Sequence, residues 1–174
     1  MRKIIYLGIF LGIIAAFSTI IMAATNQVTS PIINERLQAL FGEGVITSFP
    51  THTHFDVIDV YDVPYTHQIL VVYEDDEFLG FVYSQAVIGF ASTIQYLVGI
   101  DSEGYFTSFF VVFQGESPGF GEQLFGDEWI SRIVYNRGSD RIDTLTGVTV
   151  STAPIVRALE VAYRDHIERI ENIH

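Results

Sequence analysis

The sequence predicts an α+β fold, an antiparallel sheet with flanking helices, preceded by one N-terminal transmembrane helix. Three patterns support it: two pairs of β-rich segments separated by turn signals, an amphipathic C-terminal segment, and a long apolar N-terminal run. The 174 residues suit one domain of roughly 150 residues plus a short extra segment.

The N-terminal run has the length of a membrane span. Arg2 and Lys3 precede residues 4–24, which are uncharged and almost wholly apolar. About 20 helical residues cross a bilayer, and positive flanking charges favour the cytoplasmic side. We therefore predict a transmembrane anchor at residues 1–24, with the rest of the chain outside the cytoplasm. A cleaved signal peptide is the alternative, although the run exceeds the usual h-region of roughly 7–15 residues.

A helix and linker are predicted next, at residues 25–56. Ser30 and Pro31 are typical of a helix start and Gly42 of a helix end, with apolar residues spaced between them as on an amphipathic helix. The remaining residues, 57–174, are predicted to form the main domain.

The β pattern extends from Val57 to about Val112. Residues 69–73 and 78–83 flank the acidic turn Glu74 to Glu77, as in a hairpin. Residues 93–100 and 105–113 flank a second turn at residues 101–104.

Helical signals follow the β region. A short helix is predicted within residues 123–133, around Trp129. Apolar residues recur at helical spacing from Thr152 to about Ile173, with Pro154 in the first turn, where its missing N–H costs nothing.

The charge of the chain excludes some partners. Beyond Lys3, seven Arg and no Lys stand against 21 Asp plus Glu, a formal charge of 7 − 21 = −14. Such a surface repels nucleic acid. The sequence has no cysteine, which excludes disulfides, lipid-modified cysteine and thiolate metal sites.

Two polar clusters are possible metal ligands with simpler explanations. His52, His54 and Asp56 alternate as residues on one face of a strand do, but no further ligand is near in sequence, so a solvated strand is the better interpretation. Residues 75–77 lack the spacing of a calcium loop and are interpreted as a hairpin tip. We predict no metal site and no catalytic residue.

The most informative segment, Asp143 to Thr152, precedes the last helix. It is rich in hydroxyl groups and contains Gly147. Free N–H groups and the positive end of the helix dipole make such a turn a good phosphate site. The alternative from the residues alone is that Ser151 or Thr152 caps the helix.

This segment resembles the flavin-attachment motif D-x-x-[ST]-G-A-T-x-[ST] of the FMN-binding domain found in the G subunit of the Rnf complex and the C subunit of the sodium-translocating NADH:quinone reductase. Residues 116–121, E-S-P-G-F-G, resemble the E-T-P-G-x-G loop of that family. Residues 98–104 are similar to its strand and turn, and Trp129 follows at a familiar interval.

The resemblance implies that Thr149 carries FMN through a phosphoester bond installed by a flavin transferase. It also implies a role for Asp143 and Gly147 in recognition by the transferase. The other residues that it implies for the cofactor site are Thr146, Gly147, Val148, Ser151, Thr152, Glu116 and Ser117. The chain would then be an electron-transfer component of a membrane redox system, with other membrane subunits as partners, rather than a stand-alone enzyme.

Three positions depart from the family pattern. Val148 replaces Ala, Ser117 replaces Thr, and residues 89–92, G-F-A-S, stand where the family has G-Y-G-G. These departures leave open a flavin-free module with an assembly or sensing role. A third possibility is a reductase that binds loose FMN together with a small substrate.

Overall fold

The structure, a computed structural model, describes the backbone of residues 2–173 and the side chains of residues 6, 8–27 and 39–171. The chain divides into two compact units, Met1–Ala39 and Leu40–His174. The predicted boundaries after residues 24 and 56 stay predictions.

The first helix, α1, extends from Arg2 to Ser48. Within it, Gly8–Gln27 is long and apolar enough to cross a membrane, by length and composition, which agrees with the predicted span. The separate helix expected between Ser30 and Gly42 is not present as such, because α1 continues through both positions. Its last turns pack on the sheet, and this packing outweighs the stop signal of Gly42.

Five antiparallel strands form one sheet in chain order. The strands are β1 (His54–Asp59), β2 (Thr66–Glu74), β3 (Glu77–Ile88), β4 (Thr93–Asp101) and β5 (Phe106–Phe113). A short 3₁₀ helix (Gly121–Phe125), α2 (Asp127–Ile130) and α3 (Thr149–Ile173) follow. The predicted α+β class, with an antiparallel sheet and flanking helices, is confirmed.

Both predicted hairpins are present. Glu74 pairs with Glu77 across a two-residue turn, in which Asp75 and Asp76 have φ of 47° and 69°. Positive φ at both positions is the type I′ geometry that suits the twist of a hairpin. In the second hairpin the Asp101 carboxylate accepts the N–H groups of Glu103 and Tyr105.

Helices cover both faces of the sheet. Residues alternate between the two faces along each strand, so neighbouring residues belong to different clusters. Ile69, Phe81 and Tyr96 belong to the larger hydrophobic cluster, with α3 and Trp129. Their neighbours Leu70, Val82 and Leu97 belong to a second cluster with Val45, near the end of α1, and Phe49, which follows α1. Gly44 allows this close packing, since a Cβ there would lie 2.2 Å from Leu97 Cδ1.

Three helical details differ from the predictions. Helix α3 begins at Thr149 instead of Thr152, so Pro154 lies in its second turn. The missing N–H leaves the carbonyl of Val150 without its usual donor, at an exposed residue where water can replace it. The helix expected within residues 123–133 is split, because Gly126 is extended with ψ of 144°.

Polar contacts at seven-residue intervals hold α3 on the rest of the domain. Ser151, Ala158 and Asp165 lie on one face of the helix, because seven residues are close to two turns. Ser151 Oγ donates to Glu116, and the Ala158 carbonyl accepts from Gln85 Nε2 at 2.9 Å. Asp165 accepts from the Tyr83 hydroxyl at 3.0 Å.

We expect Gln85→Leu to lower the free energy of unfolding by about 1–3 kcal/mol. Gln85 is buried; its Nε2 also donates to Thr66 Oγ1, and its Oε1 accepts from the Tyr96 hydroxyl at 2.9 Å. Leucine would leave that hydroxyl buried without an acceptor. Urea unfolding of the Leu40–His174 unit measures the loss. Adding Tyr96→Phe should recover part of it, and strict additivity of the two changes would contradict this explanation.

Candidate functional site

Three segments that are distant in sequence meet around one cavity of about 230 Å³. They are the turn between β3 and β4, the loop that follows β5, and the first turn of α3. The cavity is lined by Phe90, Glu116, Phe120, Gly147, Val148, Val150 and Ser151. Glu116, Gly147, Val148 and Ser151 were predicted site residues, so the structure brings these four together.

The carboxylate of Glu116 lies at the junction of the three segments. Its Oε1 accepts the backbone N–H groups of Ala91 and Ser92, and its Oε2 accepts that of Phe90, each at 3.1 Å. The hydroxyl of Ser151 also donates to Oε2, at 2.6 Å. The carboxylate is therefore buried with four donors around it.

These donors determine the charge state of Glu116. Burial alone would raise the pKa of this carboxyl, because it disfavours the anion. The hydrogen bonds from Ser151 and from the backbone amides of the 89–92 turn stabilise the anion and lower the pKa of Glu116 below its usual value. Glu116 is consequently ionised at neutral pH.

The turn at residues 89–92 supplies N–H groups instead of specific side chains. Gly89 is required sterically, because a Cβ there would lie 2.5 Å from Glu116 Oε1 and 2.7 Å from Ile94 Cδ1. The Ser92 hydroxyl accepts the N–H of Gly115 at 2.7 Å, which joins the turn to the loop after β5. The departure from G-Y-G-G therefore retains the glycine that the close approach needs.

The loop after β5 contains a type II turn. Pro118 and Gly119 occupy the central positions, Gly119 has φ of 84°, and the Phe120 N–H donates to the Ser117 carbonyl at 3.0 Å. Ser117 is half-buried and does not line the cavity.

A second β-turn, Leu145 to Val148, leads into α3. Gly147 has φ of 92°, at the position where a type II turn needs a left-handed residue. The Val148 carbonyl accepts the N–H groups of Ser151 and Thr152, both at 3.0 Å, and so begins the helix. This turn places Thr149 at the first helical position.

Thr149 is exposed at the start of α3, between two residues that line the cavity. Its hydroxyl donates to the Leu145 carbonyl at 3.1 Å, and its neighbours Val148 and Val150 line the cavity. The capping alternative is not supported, because Ser151 and Thr152 lie inside the first turn. Ser151 donates to Glu116, and the Thr152 hydroxyl, fully buried, donates to the Val148 carbonyl and accepts the Leu145 N–H.

Val148 points into the hydrophobic cluster with α3 and is only 3% exposed. Its two additional methyl groups, relative to alanine, are thus accommodated by the core. Thr146 is exposed in the turn, at the surface beside Gly147.

Asp143 lies on the surface before this turn. Its carboxylate is 3.4 Å from Arg141 Nε in an exposed ion pair, and its carbonyl accepts from Arg132. Among the described residues, no backbone N–H donates to the Asp143 carboxylate, so the turn is not an Asx turn.

The other sequence clusters lie elsewhere. His54 begins β1 and stacks on Tyr73 at 5.0 Å, and His52 Nδ1 is 2.8 Å from the Phe49 carbonyl. Within the described part of the chain, no group of three or more His, Cys, Asp or Glu side chains is arranged to hold a metal ion.

Two aromatic residues of the site were missed by sequence reasoning. Phe90 is 72% exposed and Phe120 is 49% exposed, and both line the cavity. Phe90 occupies the tyrosine position of the resembled G-Y-G-G, which was the available signal. The cavity is smaller than most small-molecule sites, which span roughly 300–1,000 Å³. It therefore suits one part of a ligand, with the remainder over the exposed rings.

Comparisons with known proteins give similar regions and relatives. Residues 89–164, which contain all three cavity segments, match the model of the FMN-binding domain. The chain is 26% identical over 180 residues to the G subunit of the ion-translocating oxidoreductase complex of Salmonella typhi, covering 89% of this chain and 87% of that protein.

A second relative and one solved structure extend the comparison. The G subunit of the Na⁺-translocating ferredoxin:NAD⁺ oxidoreductase complex of Acetobacterium woodii is 23% identical over 187 residues, covering 92% of this chain and 90% of that protein. The crystal structure of Shewanella oneidensis NqrC has a similar fold, with a TM-score of 0.52, 14% identity, and coverage of 72% and 74%. Residues 89–164 of this chain are therefore similar to the FMN-binding domain.

Proposed function

We propose that this protein carries FMN covalently on Thr149 and transfers electrons as a subunit of an Rnf-type membrane complex, outside the cytoplasm. The observation that carries the proposal is the position of Thr149. Thr149 is exposed at the start of α3, between two residues that line the cavity, within a segment that matches the FMN-binding family.

The residues present fit a flavin attached at this point. A phosphate on Thr149 would lie at the N-terminal end of α3, where the helix dipole favours negative charge. The exposed rings of Phe90 and Phe120 offer apolar faces for the isoalloxazine system. Gly147, with open space around the position of a Cβ, leaves one side of the attachment point clear.

The attachment requires an external enzyme, because a threonine hydroxyl is a weak nucleophile and has no base beside it here. Among the described residues, its only hydrogen-bond partner is the Leu145 carbonyl. We propose that a flavin transferase supplies the base and a flavin nucleotide whose FMN phosphate is activated as a phosphoanhydride. The O–H bond of Thr149 breaks as its Oγ bonds to phosphorus, the base takes the proton, and the leaving phosphate takes the electron pair of the broken P–O bond.

Asp143 and Gly147 form the surface that the transferase would contact first. Both are exposed on the approach to Thr149. When bound, FMN supplies the redox chemistry, and the protein holds it beside the cavity. The aligned relatives are subunits of oxidoreductase complexes, which supports membrane redox subunits as partners.

Export of the domain is proposed from the N-terminal helix. Gly8–Gln27 is long enough to span a bilayer, and Arg2 and Lys3 precede it on the short side. The domain from Leu40 onwards would then lie outside the cytoplasm. This location requires a transferase and redox partners that act on that side.

The function is tested on the full chain, co-expressed with a flavin transferase and purified from membranes. We expect intact mass to show one bound FMN, and flavin absorbance to bleach with dithionite and return in air. A protease added to intact spheroplasts should digest the domain. A chain without FMN, when the transferase modifies a known substrate in parallel, would favour the flavin-free module.

A further inference from the structure

We infer that Glu116 is a positioning residue that joins the two walls of the cavity and thereby restricts the motion of a flavin held on Thr149. The inference depends on the proposed function only for the presence of FMN on Thr149. The contacts that Glu116 makes belong to the protein alone.

Glu116 binds groups from two separate segments. Three of its donors are backbone N–H groups of the turn that carries Phe90, and the fourth is the hydroxyl of Ser151. One carboxylate therefore connects the hairpin turn to the first turn of α3. Ser151 is two residues after Thr149, so the same contact fixes the helical turn that bears the attachment point.

The carboxylate has little capacity left to bind the flavin ring directly, although Glu116 lines the cavity. Its oxygens are occupied by four donors, and the residue is 8% exposed. Its effect on a flavin must therefore act through Phe90 and through the start of α3.

The position requires a charged acceptor. Backbone N–H groups can only donate, and two of them share Oε1 while Phe90 and Ser151 share Oε2. A glutamine has one oxygen and one NH₂ group. In either orientation of the glutamine amide, at least one backbone N–H group from residues 90–92 would face the NH₂ group and lose its acceptor.

The test uses the full chain in detergent, without flavin, as wild type, Glu116→Gln, Ser151→Ala and Glu103→Gln. Glu103 is exposed, and its variant removes the same charge from another turn. Hydrogen exchange of the amides at residues 90–92 should be roughly tenfold faster or more in Glu116→Gln and unchanged in Glu103→Gln. Ser151→Ala removes one donor and should give a smaller increase. Unchanged exchange in Glu116→Gln would overturn the inference.

A second measurement addresses the flavin. Protein loaded by the transferase is compared by intact mass and by flavin fluorescence anisotropy. Whatever the FMN loading of each protein, we expect lower anisotropy of the bound flavin in Glu116→Gln than in wild type, because the ring moves more freely. Equal anisotropy of the bound flavin in the two proteins would also overturn the inference. A wild type that takes up no flavin would refute the proposed function, and the exchange measurement would still decide whether Glu116 holds the two walls together.

Discussion

Replacing Thr149 by valine is expected to abolish covalent FMN while leaving the fold intact. Valine keeps the branched shape of threonine but has no hydroxyl to bond to phosphorus. The folded protein loses one hydrogen bond, from Thr149 Oγ1 to the Leu145 carbonyl, worth about 1 kcal/mol at an exposed site. Intact mass after co-expression with the transferase should show FMN on the wild type and none on the variant.

Thr146→Val is the matched control, because it removes another exposed hydroxyl three residues away in the same turn. It should retain the attached FMN. Loss of FMN from both variants would indicate that the transferase needs the whole turn, and would not assign the bond to Thr149. Attachment that persists in Thr149→Val would contradict the proposal directly, and would direct attention to Thr146 or Ser151.

Much of the sheet was predictable because local signals and tertiary packing agree. Asp75 and Asp76 tolerate positive φ, so the first hairpin turn is compatible with its sequence. The strands on either side bury both faces, which their apolar runs anticipate. Strand β1 was anticipated only in part, as a solvated strand around His54 and Asp56 and a β pattern from Val57, since His54–Asp59 is mostly exposed and has weak alternation.

The helix boundaries were less predictable because packing overrides the local signals. Gly42 suggests a helix end, yet the side chains of Val45 and Phe49 pack on the sheet, and α1 extends as far as Ser48. Pro154 suggests the first turn of a helix, whereas α3 begins earlier, where the Gly147 turn presents Val148 to the core. Neither contact can be read from residues adjacent in sequence.

In the candidate site, too, motifs in the sequence predicted some residues, whereas contacts between distant segments were not predictable. Thr149 and Glu116 were singled out through motifs, but the contact between Glu116 and the turn at residues 89–92 joins segments about 25 residues apart. That turn differs from the family pattern in its side chains, whereas its contribution comes from N–H groups that any residue except proline supplies. Residues 89–92 therefore differ less from the family pattern in their backbone contacts than in their side chains.

The stability of the Leu40–His174 unit should fall by about 3 kcal/mol as the pH decreases from 6.5 to about 4, because of His166. His166 is fully buried on α3, against the rings of Phe81 at 5.6 Å and Tyr163 at 6.5 Å. Burial lowers its pKa to about 4, although the carboxylates of Asp101 and Asp165 favour the charged form.

The direction follows from which state binds the proton. Below pH 6.5 the unfolded chain protonates this histidine while the folded protein keeps it neutral, so protons favour unfolding until the folded pKa near 4 is reached. Glu116 adds to the loss at the acid end, because its pKa is also lowered and its stabilising contribution disappears as it is protonated. Total acid sensitivity therefore does not isolate the histidine.

The difference in free energy of unfolding between wild type and His166→Leu isolates the contribution of the histidine. Leucine is apolar and of similar volume to histidine, so the effect of its packing on the free energy of unfolding is the same at every pH. The contribution that depends on protonation of His166 is absent from the variant. Urea unfolding at pH 7, 6, 5 and 4 should show the stability of wild type falling relative to that of His166→Leu, by about 3 kcal/mol over the full range. Parallel curves would mean that His166 does not remain neutral in the folded protein. The carboxylates of Asp101 and Asp165 would then offset the effect of burial, and α3 would hold a charged imidazolium against the sheet at acid pH.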